Sequence, residues 1–421
     1  MISEALTKRI LWSLLLGALT GVLLHSLSDS HPWTKVWFVD GLFFVLGKWF
    51  VALLMLMVVP LVFVSLVKGV AQLGLSSSLG KLSGWTLGGY VVTTIIAIST
   101  GLLFAGWLQP GTGLGLLAPE VTNTTPPNLL ELLVAIIPSN PVAAMAQGNM
   151  LQVIVFAVVF GLALASIKPQ SLVSPLLTLF DGLEAVLIRM VGLVMWLAPI
   201  GVFALMARSM ASQGLDLLAP LMIYFLTVVL ALAVHAIITH ASLFRLLTGL
   251  SPWPLYRRLK EVVTVSFSTS SSVATLPVTL ATMQRLGVSG QVSSFTIPLG
   301  ATINMGGTAI MQGVATVFIA NAYGLTLTSG DYAMVILTAT LASIGTAAVP
   351  GAGLIMLTMV LMQVGLPVEG IALILGVDRL LDMMRTSVNV IGDIVVTTIV
   401  ADRLEALDRE QYLNEKPEPA S

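Results

Sequence analysis

The chain has no cysteine and very little charge. Without a thiol it holds no disulfide, no thiolate metal site and no cysteine nucleophile. Charged residues make up 9% and hydrophobic ones 57% of its 421 residues, whereas soluble domains carry roughly 25% charge. From Leu286 to Gly330 there is no Asp, Glu, Lys or Arg, a gap that exceeds one membrane crossing at about 20 residues each. A soluble core of this composition would have no surface to show water. The chain therefore reads as an all-α polytopic membrane protein. A net charge of −1 with sparse basic residues excludes a nucleic-acid surface. Lys8-Arg9 ahead of an apolar run to Ser26 imitates a signal peptide. No small-residue cleavage site follows cleanly, so an uncleaved first helix is expected.

Apolar segments fall near Ile10–Ser26, Val36–Val67, Trp85–Trp107, Leu129–Ile167, Leu176–Arg208, Pro220–Leu243 and Phe295–Tyr323, with a polar-striped segment, Leu375–Val400, last. Several exceed one straight crossing, so tilts and breaks are expected, one of them at Pro138-Ser139-Asn140-Pro141. Basic residues cluster after alternate spans, at Lys8-Arg9, Lys68 and Lys81, Lys168, Arg245 to Lys260, and Arg403 with Arg409. By the positive-inside rule both termini are cytoplasmic, and the polar stretch Asp402–Ser421 is a frayed tail. Pro254–Leu286 and Tyr332–Leu366 each place two short apolar arms around a Ser/Gly/Pro tip, at Ser266–Ser272 and Ser343–Gly353. That is the pattern of a re-entrant hairpin, and a pair of them forms a weak internal repeat of the kind that marks a transporter's midplane site.

The richest signal is a row of five polar residues, Asp378, Asp382, Arg385, Asn389 and Asp393, spaced three to four apart in the last apolar segment. At about 100° per residue they share one helical stripe. A charge at mid-bilayer costs on the order of 2.5–3.5 kcal/mol even on the lenient scale, so the stripe faces protein, water or a ligand. Arg385 offers a planar fork for a carboxylate, Asp382 a counter-charge for an ammonium, and Asp393 with Asn389 oxygens for a cation. The competing reading is an internal ion-pair network. Asn304-Met-Gly-Gly-Thr308 interrupts the uncharged span; its glycines permit unwinding, and its oxygens suit a hard cation. The plainer alternative there is a glycine packing contact. The serine-rich tip needs a general base to act as a nucleophile, and His235 and His240 are its only candidates; hydroxyls and amides aimed at an anion fit it better.

Four motifs carry a resemblance: Ser-Thr-Ser-Ser-Ser-Val-Ala-Thr-Leu-Pro (268–277), Asn-Met-Gly-Gly-Thr (304–308), Ser-Ile-Gly-Thr-Ala-Ala-Val-Pro-Gly-Ala-Gly (343–353), and Asp-Arg-Leu-Leu-Asp-Met-Met-Arg-Thr-Ser-Val-Asn-Val-Ile-Gly-Asp (378–393). In order and spacing they closely resemble the dicarboxylate/amino acid:cation symporter family, which includes prokaryotic glutamate and aspartate transporters. The resemblance implies a prokaryotic inner-membrane homotrimer with eight transmembrane helices and two re-entrant hairpins, working as an elevator. Scaffold helices would lie at 1–70 and 128–211. A transport domain would comprise 80–108 and 216–403, including hairpins at 254–286 and 331–368, an interrupted helix at 290–324 and a last helix at 370–403, with a tail at 404–421. It implies an acidic amino acid as substrate, sodium as the coupling ion, no organic cofactor and no enzymatic reaction. Carried over by position, Arg385 binds the substrate's side-chain carboxylate and Asp382 its amino group. Thr386, Asn389, Thr308, Ser272, Val349 and Gly353 complete that pocket. Asp393, Asn304, Asn389 and Gly300 form one sodium site, and Thr302, Ser343, Ile344 and Thr346 a second. Tyr90, Thr93, Thr94 and Asn304 form most of a third.

One departure matters. Sodium-coupled members carry Asn-Met-Asp-Gly-Thr, and here the aspartate is Gly306. The third site then has neutral oxygens only, so it is expected to be weak or absent, with fewer sodium ions or with protons in their place. Gln312 stands where neuronal relatives place a proton-carrying glutamate, which argues against that route. Sodium coupling is the first expectation and proton coupling the alternative. A C4-dicarboxylate is disfavoured by the unpaired carboxylate expected at Asp382. A channel or an intramembrane hydrolase fits less well, for want of a continuous polar lining or a paired base.

Overall fold

The computed structural model describes residues 4–28, 30–74, 80–116, 137–344 and 352–413. Among the described residues the regular structure is helical, apart from one isolated antiparallel bridge between Val288 and Leu407. The principal helices are α1 (Glu4–Leu27), α2 (Phe44–Leu56), α3 (Val58–Gly74), α4 (Gly80–Leu108), α5 (Met150–Ser166), α6 (Ser174–Gln213), α7 (Leu218–Val234) and α8 (His240–Thr248). They continue with α9 (Lys260–Thr269), α10 (Ser272–Arg285), α11 (Gly290–Ile303), α12 (Gly306–Ala322), α13 (Ser329–Ile344), α14 (Ala352–Gln363) and α15 (Ile371–Arg403).

Among the described residues, seven helical stretches are long and apolar enough to cross a membrane. The expected span at 128–167 is only partly described: 128–136 lie outside the described residues, and Met150–Ser166 is a shorter apolar helix. The break expected at 138–141 is a cap. Asn140 accepts from the amides of Val142 and Ala143, with Pro141 at the first helical position, where its missing N–H costs nothing. A second break follows at Gly148, in the left-handed region. The run Val36–Val67 is three pieces: a π-helical stretch over Lys35–Phe43, then α2 and α3, parted at Met57. Pro60 has no N–H to return to Leu56, which accounts for that parting. The 40-residue α6 is about 60 Å long at 1.5 Å per residue, twice a hydrocarbon core of about 30 Å, so it runs tilted or projects beyond it.

Both hairpins have helical arms. In the first, α9 and α10 pack on each other and turn at Ser270, whose φ is +48°. The tip is therefore shorter than Ser266–Ser272, because Ser266 to Thr269 complete the last turn of α9. Ser271 caps α10 by accepting from the Ala274 amide at 3.3 Å. In the second, α13 and α14 pack together; its tip, 345–351, lies outside the described residues.

The helices fall into two packed groups. In one, α1 runs along α6, α2 also rests on α6, and α3 lies against α5 and α6. Gly17 and Gly21, one turn apart on α1, make the first contact possible, since a Cβ would come within 2.7 Å of the Phe203 carbonyl oxygen and 2.5 Å of that of Ala207. In the other, α12 is central, contacting α4, α7, α13, α14 and α15, while α9, α10 and α11 surround α15. The groups meet where α15 approaches α6 and α1 at Gly376, close against Leu14 and Met206. They meet again where α14 reaches α2, α3 and α5. An ion pair also spans them, Lys48 Nζ of α2 to Glu369 Oε1 at 2.6 Å. Trp12, Trp37, Trp49, Trp107 and Trp196 stand exposed, as side chains facing hydrocarbon or its interface would. The most apolar stretch of α11 and α12 is wholly buried. The best-shielded volume thus lies around the break between those two helices and beside α15.

Candidate functional site

Along α15 the polar stripe points inward. Asp378, Arg385, Asn389 and Asp393 are all buried, and the Asp382 side chain is 13% exposed. The stripe divides into two clusters of different character.

In the first, Arg385 donates through Nη1 to Asp378 Oδ1 at 2.8 Å and through Nη2 to Asp382 Oδ1 at 2.9 Å. Arg379 Nη1 donates to Asp382 Oδ2 at 3.5 Å. Two guanidiniums and two carboxylates therefore balance, and the expectation that Asp382 is unpaired does not hold in this structure. Helical spacing is the reason: at three residues apart, Asp382 and Arg385 are neighbours on one face. Arg385 Nε, buried, has no hydrogen-bond partner. A cavity of about 30 Å³ opens beside this cluster, between α15, α14 and the first helix group; Ile10, Phe50, Met195 and Leu354 face Asp378, Arg379 and Asp382 across it. That volume suits one or two waters. Gly353 of α14 already lies against the cluster: a Cβ there would stand 3.5 Å from Arg385 Nη2 and 3.1 Å from Thr308 Cγ2.

The second cluster gathers around the break at Asn304-Met305. Asn389 Oδ1 accepts from the Gly307 amide at 2.7 Å, and its Nδ2 reaches Thr308 Oγ1 at 3.4 Å. A side chain at Gly307 would meet the Arg385 carbonyl oxygen at 2.6 Å, so glycine permits α12 to touch α15. Asp393, 2% exposed, accepts from Asn304 Nδ2 at 2.9 Å, and among the described residues it has no ion-pair partner. Gly300 sits so close that a Cβ would lie 2.5 Å from Asp393 Oδ1 and 2.6 Å from the Tyr90 hydroxyl. Tyr90 donates to the Thr296 carbonyl at 2.9 Å, and Thr93 Oγ1 lies 3.4 Å from Asn304 Oδ1. Thr94 Oγ1 is buried without a partner. This is a set of hard oxygens around one uncompensated carboxylate, the donor chemistry of an alkali or alkaline-earth cation. Among the described residues no group of three His, Asp or Glu side chains offers another metal site.

The structure thus draws Arg385, Asp382, Thr308, Asn389 and Gly353 into one neighbourhood and Asp393, Asn304, Gly300, Tyr90 and Thr93 into the next. Thr386 is buried and donates to the Asp382 carbonyl at 2.8 Å. Ser272 is buried in the first turn of α10, on a hairpin joined to α15 through the Ser266–Ser387 hydroxyl contact of 3.2 Å. The second proposed sodium set is not assembled as side chains: Thr302 is exposed and donates to Leu299 within its own helix, and Ser343 donates to Thr340. Ile344 ends α13, and Thr346 and Val349 lie outside the described residues. Sequence reasoning passed over Arg379, which falls off the three-to-four spacing of the stripe. His235, weighed in the sequence only as a base for the serine-rich tip, instead lies by the α11–α12 break: its Nε2 would stand 3.6 Å from a Cβ at Gly306, and both its ring nitrogens are buried and unpartnered.

A helical membrane protein with paired interrupted elements around a buried ionic site is the architecture of a secondary transporter, and residues 6–403 match the model of the sodium:dicarboxylate symporter family. The chain belongs to that family, as its four motifs indicate. It is 35% identical over 424 residues to the proton/glutamate-aspartate symporter of Escherichia coli (strain K12), covering 98% of this chain and 96% of that protein. The proton/sodium-glutamate symport protein of Geobacillus stearothermophilus is 32% identical over 400 residues, covering 93% of each chain. The C4-dicarboxylate transport protein of Bacillus subtilis (strain 168) is 33% identical over 378 residues, covering 87% of this chain and 89% of the relative.

Proposed function

We propose that this protein is a secondary active symporter that imports glutamate or aspartate across a prokaryotic inner membrane, driven by sodium. The observation that carries the reading is Asp393: a carboxylate 2% exposed, beside the broken helix, with an amide as its hydrogen-bond partner and, among the described residues, no ion-pair partner. A buried charge of this kind needs a cation or a proton to complete it. Arg385 and Asp382, exchanging each other for the carboxylate and ammonium of a zwitterion, are the substrate groups. Thr308, Asn389, Thr386, Ser272, Val349 and Gly353 line the same pocket. Asp393, Asn304, Asn389 and Gly300 hold the first sodium, and Thr302, Ser343, Ile344 and Thr346 the second, mostly through backbone carbonyls. Tyr90, Thr93 and Thr94 are a third site weakened by Gly306.

The two packing groups support a division into a scaffold (α1–α3, α5 and α6) and a moving unit (α4 and α7–α15) that travels as an elevator within a homotrimer, both termini cytoplasmic. Cation binding at Asp393 organises the α11–α12 break and with it Thr308 and Gly307, so ions act by favouring the closed, loaded state. Proton coupling is the second reading. Gly306 favours it, as does the name of the Escherichia coli relative, while that of the Geobacillus relative carries both ions.

The test is uptake of labelled aspartate into proteoliposomes with sodium replaced by choline, with and without an imposed proton gradient. Sodium-dependent uptake supports the first reading; undiminished uptake on a proton gradient alone overturns it in favour of the second. No uptake of either acidic amino acid under any gradient would remove the substrate assignment itself.

A further inference from the structure

Tyr224 of α7 is wholly buried, and among the described residues its hydroxyl has no hydrogen-bond partner. Its ring is held against Phe318 of α12, centroids 5.0 Å apart, and α7 packs on both α12 and α15. Gly307 lies beside Arg385, and Gly370, just before α15, lies beside Ile319, so α12 runs antiparallel to α15. That register puts Phe318 within about two turns of Asp378, roughly 10 Å at 1.5 Å per residue. The hydroxyl accordingly lies in the fields of the Asp378 carboxylate and the Arg385 guanidinium. A buried hydroxyl left unpaired is destabilising; beside a carboxylate it is an uncommitted donor. Arg385 meanwhile donates through Nη1 to Asp378 and through Nη2 to Asp382, so both prongs of its fork are engaged. A ligand carboxylate that takes the fork leaves Asp378, 5% exposed, short of its donor.

We propose that Tyr224 is a positioning residue for ligand binding: its hydroxyl donates to Asp378 when Arg385 turns to a ligand carboxylate, and so keeps the released aspartate satisfied. No proton changes hands; one hydrogen-bond donor replaces another. A phenol suits the exchange because its O–H makes a strong bond to a carboxylate, yet it brings no second buried charge into the empty site. The inference rests on the substrate reading given under Proposed function, and it adds to that site a residue from α7, a helix that supplies none of its other groups.

The experiment is uptake of labelled aspartate by full-length Tyr224→Phe in proteoliposomes, beside the thermal unfolding midpoint of the purified, ligand-free protein. The hydroxyl is unpaired in the empty site, so the midpoint should hold or rise when it is removed. The aspartate concentration for half-maximal uptake should rise about tenfold, the loss of one hydrogen bond to a charged group. Because the hydroxyl acts through Asp378, unlabelled aspartate and glutamate should weaken as competitors by factors that agree within about threefold; a hydroxyl that touched the ligand itself would separate them. A purely structural role would instead lower the ligand-free midpoint. An unmoved half-maximal concentration, a fall in that midpoint, a variant that does not fold, or competitor shifts that differ by more than about threefold each overturns the proposal. Absence of aspartate uptake by the parent strikes at the substrate reading instead, which the choline and proton-gradient arms identify separately.

Discussion

Two ionic sites lie eight residues apart on α15, and they are built on opposite electrostatic terms. Around Arg385, carboxylates and guanidiniums satisfy one another. Around Asp393, a carboxylate of similar burial has an asparagine amide for company and no positive charge. The first arrangement is stable as it stands and must be broken to bind anything. The second is incomplete as it stands, and on the proposed reading a cation or a proton completes it.

The comparison can be broken most forcefully at Arg385. Arg385→Ala leaves Asp378 and Asp382 buried without their main partner, and such a loss typically costs about 3–5 kcal/mol. The expected result is a marked fall in the thermal unfolding midpoint of the purified protein, together with loss of any stabilisation by added aspartate. An unmoved midpoint would show that the pairing contributes no stability. Asp393→Asn should behave in the opposite way. It removes an uncompensated charge, so the midpoint should hold or rise, while cation-driven uptake drops on the order of a hundredfold, a loss of about 2.7 kcal/mol of coupling. Equal losses of stability in the two variants would erase the distinction between the sites.

Two glycines sharpen the picture at lower amplitude. Gly307→Ala would place a methyl 2.6 Å from the Arg385 carbonyl oxygen, an overpacking expected to cost about 1–3 kcal/mol and readable in the same unfolding assay. At Gly306 the nearest atoms to a Cβ are 3.5 and 3.6 Å away, on Ala97 and His235, so a carboxylate can be introduced without backbone collision. Gly306→Asp should therefore lower the sodium concentration for half-maximal uptake, while burying one more carboxylate and so lowering the unfolding midpoint in sodium-free buffer. A sodium curve identical to the parent's would argue that the third site plays no part. The smallest effect belongs to the bridge between the helix groups: Lys48→Met removes a half-exposed ion pair and should change stability by less than about 1 kcal/mol, with any effect on transport appearing as a salt-sensitive rate.

Most of the helices and the location of the site were legible in the residues. Charge scarcity marked the membrane segments, and the three-to-four spacing of Asp378, Asp382, Arg385, Asn389 and Asp393 placed one buried stripe, which is where they lie. Pro60 and Pro141 explain breaks only once their local hydrogen bonds are seen. The π-helical turns at Lys35–Phe43 and His235–Thr239 have no sequence mark at all, since they depend on neighbours across the bundle. The pairing state of Asp382 was the main thing a single stripe conceals. Periodicity says that Arg385 and Asp382 are neighbours, but not whether they bond to each other or point together at a third party, and Arg379, one residue off the stripe, tips that balance. Gly306 is a different case: its consequence is chemical, a missing carboxylate, and shows in the sequence without any coordinates.

The broken helix between Ile303 and Gly306 has a mechanical consequence. Its first half is tied to Asp393 through Asn304, and its second half is tied to Asn389 through the Gly307 amide. The ties lie on the same face of α15, within about 6 Å along the axis at 1.5 Å per residue. Both halves of the broken helix are therefore anchored on neighbouring turns of α15. Thermodynamic reciprocity then requires that the factor by which a bound cation tightens the grip on an acidic ligand equal the factor by which that ligand tightens the grip on the cation. On the proposed reading, the interruption is the joint at which a cation gradient would be turned into accumulation of an acidic solute.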